Sequence, residues 1–204
     1  MEIDKLEDII IPANPIAAGT GWEDEIFPII ESYAAFWGNE MEAPTPIADI
    51  ENCETRLGIK LPKDLKLFYL KFGPARLLEV LRPVQEFEYL TASWDKSHFD
   101  LYNTDEQKTI AGLIVFGDYV GNGNLWCFHK DTGNIFYFKH DSKPNINGMF
   151  DTFYDYLKPL LIYTQGEMGQ HVEELEDEVA ETVINLIGKD RVRVWQYYAG
   201  WEDE

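Results

Sequence analysis

The sequence predicts an α+β chain, and three observations predict it. Two amphipathic segments with glycine stops run back to back over residues 47–73. Three apolar runs joined by hairpin-forming turns follow at 112–140, and helical periodicity returns beyond residue 149. Helices and antiparallel strands segregated along the chain are the pattern of an α+β domain.

The elements follow in order. "PANPIAAGTGW" at 12–22 combines two prolines, two glycines and small residues, which predicts a linker or extended arm. "EDEIFPIIESYAAFWGNE" opens on acids and places Ile26, Ile29, Ile30, Tyr33, Phe36 and Trp37 at helical spacing, closed by Gly38 and Asn39. Pro28 lies near its start, where a helix tolerates proline. "EAPTP" at 42–46 breaks the chain again.

From 47 onward, Ile47, Ile50, Cys53 (or Glu54) and Leu57 share one helical face, and Gly58 suits the position just after the helix. "IKLP" turns the chain, Pro62 enters a second helix carrying Leu65, Phe68, Tyr69 and Phe72, and Gly73 stops it. The loop and charges of this helix pair do not suggest DNA binding. "FEYL" within 77–91 reads as a short strand. Residues 93–108 are polar, with Trp94, Phe99 and Tyr102 as possible anchors. The strands "GLIVFGD" (112–118), "NLWCFHK" (124–130) and "NIFYFKH" (134–140) are joined by "YVGNG" and "DTG", both good hairpin chemistry. "MFDTFYDYLKPLLIYTQG" predicts an amphipathic helix kinked or broken at Pro159. "HVEELEDEVAETVINLIG" predicts an acidic helix ended by Gly188, and "RVRVWQYY" at 191–198 alternates like a final strand.

Composition bounds the function. With 45% hydrophobic and 14% aromatic residues the chain can build a core and is not disordered. No apolar run is long enough for a membrane helix, and the acidic start lacks the features of a signal peptide, so a cytoplasmic location is expected. Cys53 and Cys127, the only cysteines, read as reduced, buried thiols. The net charge is −20, unevenly spread: residues 1–46 carry ten acids and one base, 47–166 sixteen acids and thirteen bases, and 167–204 eleven acids and three bases. Acidic flanks around a nearly balanced middle repel nucleic acid and anionic membrane, and they attract a basic partner protein; plain solubility is the alternative. The densest run, "EELEDE" (Glu173, Glu174, Glu176, Asp177 and Glu178), reads either as a solvated helix face or as a docking surface for such a partner.

The chemistry-bearing motifs are few. "FGDYVGNGNLWCF" at 116–128 is glycine-rich, but no lysine follows to reach a phosphate, no helix follows for a dinucleotide, and no glutamate closes a calcium loop. It reads as a tight turn. Cys127 and His129 share a strand face, and His140 lies on the neighbouring strand. This trio is the best candidate for a metal site, or for the site of a small enzyme or ligand-binding protein, and each residue has an ordinary structural reading too. No catalytic motif is present, and no metal or cofactor is expected. "GWEDE" occurs at both 21–25 and 200–204, without any wider repeat.

Four pieces, in order, resemble the SMI1/KNR4 proteins of the SUKH superfamily. "IENCETRLGIKLPKDLKLFYLKFG" supplies Ile50, Glu54, Leu57, Gly58, Leu61, Pro62, Phe68, Phe72 and Gly73. "GLIVFGDYVGNGNLWCF" is similar to the family's strand, D-x-x-G-N/D turn and strand, with Asp118 and Gly121 in the turn. "GNIFYFKHD" and "MFDTFYDYL" are similar to the strand and helix that follow. "KFGPARLLEVLRP" departs from the family's small polar tail after the glycine. The resemblance implies a central antiparallel sheet flanked by helices over residues 47–160. It leaves 1–46 as an acidic extension with one helix, and 161–204 as an acidic helix and final strand packed on the core. It implies no catalytic residues and a protein partner. Bacterial members are mostly immunity proteins that neutralise a toxin domain, often a nuclease or deaminase, and fungal members regulate cell-wall synthesis. Trp22, Trp94, Tyr119 or Trp201 would then serve as aromatic anchors for a basic toxin.

Overall fold

The computed structural model describes residues 1–94, 99, 102–118, 123–141 and 145–195. Among them are eight α-helices and a six-stranded sheet. After a 3-10 turn at Leu6–Asp8 come α1 (Trp22–Phe36), α2 (Ile47–Leu57) and α3 (Lys63–Phe72). The short strands β1 (Val80–Leu81) and β2 (Glu88–Tyr89) precede α4 (Leu90–Ser93) and α5 (Thr104–Ala111). The sheet continues with β3 (Leu113–Asp118), β4 (Leu125–His129), β5 (Ile135–Phe138) and β6 (Ile146–Phe150). The chain then runs through α6 (Phe153–Met168), α7 (Leu175–Ile187) and α8 (Lys189–Trp195). Every strand pairing is antiparallel, in the order β1-β3-β4-β5-β6, with β2 also on β3.

The central strands are apolar at nearly every position because both faces of the sheet are covered. Alternation divides them between two cores. Ile114, Phe116, Trp126, Phe128, Ile135 and Tyr137 face the larger core, built with α1, α2, α3, α6 and α7. Leu113, Val115, Leu125, Cys127 and Phe138 face a smaller core closed by Leu90 of α4, Phe99 and Ile110 of α5.

The helix pair at 47–73 forms as its sequence predicts. Gly58 ends α2 in the left-handed region at φ 68°. Pro62 precedes α3, and Gly73 ends it at φ 69°. Strands β3, β4 and β5 pair as successive hairpins. The turn between β4 and β5 closes through the Gly133 N–H on the His129 carbonyl, at 2.8 Å. The β3–β4 turn at 119–122, with Tyr119, Val120 and Gly121, lies outside the described residues, as does Trp201.

The structure corrects the sequence reading at several points. Residues 191–195 belong to helix α8 and not to a final strand. Met149 and Phe150 end strand β6 rather than opening a helix, and that strand was not foreseen. Helix α5 was not foreseen either; Asn103 and Glu106 cap it reciprocally. Pro28 lies near the start of α1 but in its second turn, past the first turn that tolerates proline, and α6 runs through Pro159 to Met168 without breaking. Finally, α6 is buried on nearly every side rather than amphipathic, because the sheet, α1, α7 and the N-terminal arm all pack on it.

Candidate protein-binding surface

The N-terminal arm is fastened along most of its length. The Gln165 side chain of α6 accepts from the Ile10 N–H and donates to the Ile10 carbonyl, both at 2.8 Å. The Tyr154 hydroxyl donates to the Pro12 carbonyl. The Glu25 carboxylate accepts from the backbone N–H groups of Ala13 and Asn14 and from the Asn14 amide. Ile3 is buried against Gly169, where an added Cβ would meet the Ile3 carbonyl oxygen at 3.0 Å and Leu175 at 2.3 Å.

This fastening sets two acidic runs from opposite ends of the chain side by side. The 3-10 turn Leu6–Asp8 packs on α7, and the His171 imidazole lies 3.0 Å from the Asp4 carboxylate. Leu175, Val179 and Val183 bury the inner face of α7, which leaves Glu173, Glu174, Glu176, Asp177 and Glu178 exposed. Beside them stand Glu2, Asp4 and Glu7, also exposed, and half-buried Asp8. Among the described residues, no lysine or arginine pairs with a carboxylate on this face; the His171 imidazole is the group in contact with Asp4. Unneutralised carboxylates held close together repel one another and set up a field that attracts cations.

The trio of Cys127, His129 and His140 is not brought together. The antiparallel register pairs Leu125 with Phe138 and Phe128 with Ile135, so His129 lies at the turn end of the β4–β5 hairpin and His140 beyond its other end. Six residues of strand separate such positions by about 20 Å. The His129 ring packs on Gly112, and the His140 Nδ1 meets the Asn124 side chain at 2.9 Å while its ring stacks on Trp94. Cys127 is fully buried, and burial pushes its thiol far above the ordinary range. No metal-binding cluster of His, Cys, Asp or Glu exists among the described residues.

Two aromatic anchors expected from sequence have packing partners within the fold. Trp22 is buried, edge-on to Phe72 at 5.6 Å, and Trp94 packs half-buried on Phe138. The motif residues also have internal partners. The Glu54 carboxylate, buried, accepts from Lys60, Lys66 and the Leu61 N–H. Burial pushes its pKa up, but these three donors outweigh burial and hold it below the usual carboxylate range. Asp118 accepts from Arg82 Nε at 2.9 Å.

Sequence reading missed two features. Phe36 and Trp37 are exposed, although their spacing extends the buried face of α1. Glu79 is fully buried, with Tyr156 and Trp195 donating to its carboxylate. The signal was a lone acid inside the apolar run "LLEVL".

No described helix is long and apolar enough to cross a membrane. Residues 44–158 match the family model described as SMI1 / KNR4 family (SUKH-1). No curated protein matches the chain.

Proposed function

The chain belongs to the SMI1/KNR4 family (SUKH-1), and on that premise we propose that it is a non-enzymatic, cytoplasmic protein-binding module: an immunity protein that neutralises a basic toxin domain of the nuclease or deaminase class. The observation that carries this reading is the juxtaposition of the acidic N-terminal turn with the acidic face of α7. Both lie outside the matched residues 44–158, so the acidity is added to the family module. Toxins that act on nucleic acid present basic clefts, and an acidic face can occlude one through steered association. Glu173, Glu174, Glu176, Asp177 and Glu178 are the residues proposed to meet the partner, with Tyr119 and Trp94 as secondary contacts.

The test is co-expression with a panel of basic nuclease and deaminase toxin domains, followed by association kinetics on any that are neutralised. Protection against one of them, with an association rate that falls steeply from low to high salt, is expected. Replacing Glu174, Asp177 and Glu178 with lysine should slow association without unfolding the protein. Equal rates at both salt concentrations, or full protection by the lysine variant, would remove the acidic face from the mechanism. Binding without protection would favour a regulatory scaffold, the other role known in the family.

A further inference from the structure

A groove of about 510 Å³ opens beside the C-terminal end of α1, between residues 39–42 and 75–80. Ile30, Met41, Phe72, Leu77 and Val80 contribute its apolar wall. Trp37 stands at its edge 55% exposed, and Phe36 beside it is 42% exposed. Their rings meet edge to face at 5.4 Å, and Phe36 also stacks on Tyr33. Two large aromatics in mutual contact beside a groove with an apolar wall and a charged rim form a patch of the kind that anchors protein partners.

The charges around the groove choose among occupants. The last turn of α1 contains no base, so the negative end of its dipole is uncompensated there. Exposed Glu40 and Glu42 line the groove, against one base, Arg76. A second copy of this chain would bring another −20 charge to the contact, which disfavours self-association. An exposed indole face also favours a lysine or arginine laid over it.

We propose that this groove takes a basic amphipathic segment of the partner protein. An apolar residue seats against Met41, Leu77 and Phe72, and a lysine or arginine lies over Trp37 within reach of Glu40 and Glu42. The proposal rests on the reading of the partner as a basic protein. The groove also adjoins the acidic face. Tyr33, which lines it, donates a hydrogen bond to Glu167 in the last turn of α6, and two residues further on Gly169 packs against Ile3. One partner can therefore span both.

The experiment is an NMR titration of the full chain with three synthetic helical peptides, built from leucine and lysine, leucine and glutamate, or serine and lysine. The leucine–lysine peptide should shift the Trp37 indole and the Met41 and Leu77 methyls. Trp37→Ala should weaken its binding roughly fivefold or more, and Glu40→Gln with Glu42→Gln should weaken it severalfold. Trp37 is exposed, so an unchanged melting temperature will show that the variant is folded. Equal binding of the leucine–glutamate peptide overturns the charge argument. Shifts confined to the amides of Glu173–Glu178 overturn the groove and leave the acidic docking face standing. No shift with either lysine peptide overturns the groove and counts against the basic-partner reading as well. Concentration-dependent dimerisation abolished by Trp37→Ala would show that the occupant is a second copy.

Discussion

The indole N–H of Trp195 in α8 donates a 2.7 Å hydrogen bond to the carboxylate of Glu79, a fully buried residue 116 positions earlier in the chain. The Tyr156 hydroxyl donates to the other carboxylate oxygen at 2.8 Å. The Trp126 N–H is turned toward the same group without closing a hydrogen bond. These donors are neutral, and among the described residues no cation compensates the carboxylate. Desolvation therefore dominates and pushes the Glu79 pKa from its ordinary value up to about 7, and the negative Asp118 adds to the rise.

A raised carboxylate pKa means that the folded state binds a proton more tightly than the unfolded state does. Stability from this group is therefore greatest at acid pH and falls as pH rises from about 4.5 to about 7. Glu79→Gln keeps an acceptor for Trp195 and Tyr156 and removes the titration. Denaturant unfolding across this range should show the variant gaining on the wild type as pH rises, by at most roughly 3 kcal/mol above pH 7. Parallel pH profiles for the two proteins would show that Glu79 does not titrate there.

Trp195 also carries the packing of α8 on the body. Its ring lies 5.0 Å from Trp126, 6.0 Å from Phe150, 5.8 Å from Tyr156 and 5.9 Å from Tyr163, centroid to centroid. Trp195→Ala should cost about 3–5 kcal/mol, the usual range for emptying such a site. Combined with Glu79→Leu, which removes the acceptor, the loss should fall short of the sum of the two single effects expected for independent sites, because the residues share a hydrogen bond. Strict additivity in that double-mutant cycle would mean that the bond contributes nothing to holding α8.

What was legible in the sequence was the part governed by local rules. Gly58 and Gly73 mark helix ends because the backbone there takes positive φ, and β3, β4 and β5 declare themselves through long β-prone runs. What was lost needed tertiary context. Strand β6 contains Asn147 and Gly148, poor strand formers held in place by pairing with β5. In α8, five residues of "RVRVW" satisfy a two-residue period and a short helix equally well. Phe36 and Trp37 continue the apolar spacing of α1 yet remain exposed at its C-terminal end. Helix α5 buries little beyond Ile110, so its one readable sign was the Asn103–Glu106 cap. Candidate contacts between His129 and His140 failed on register, which adjacent strands alone do not reveal.

That failure has a measurable consequence. A site holding zinc with a dissociation constant one hundredth of the free zinc concentration would add about 2.7 kcal/mol of stability. No such gain in melting temperature is expected for the wild type. The variant carrying His129→Ala and His140→Ala should still neutralise whatever partner the wild type does. A zinc-dependent rise in melting temperature that disappears in the variant would restore the hairpin as a metal site.

The two motif glycines should respond very differently to one methyl group. At Gly58 (φ 68°, ψ 34°) the left-handed region is merely disfavoured for alanine, and a Cβ there meets nothing within 4 Å. Gly58→Ala should cost about 1–2 kcal/mol. Gly73 has φ 69° but ψ −160°, a region essentially reserved for glycine. A Cβ there would lie 2.0 Å from the Ala43 carbonyl oxygen. The Cβ position is fixed by the backbone and the oxygen is a backbone atom, so no rotamer change relieves the clash, and the segment before α2 must move away from the end of α3. That segment is also tied to α3 by the Thr45 N–H on the Tyr69 carbonyl, at 2.9 Å. Gly73→Ala should therefore cost on the order of 3 kcal/mol or more, from strain and a displaced chain together. Equal losses at the two positions by equilibrium unfolding would show that the approach of residues 43–45 to α3 adds nothing beyond the turn itself.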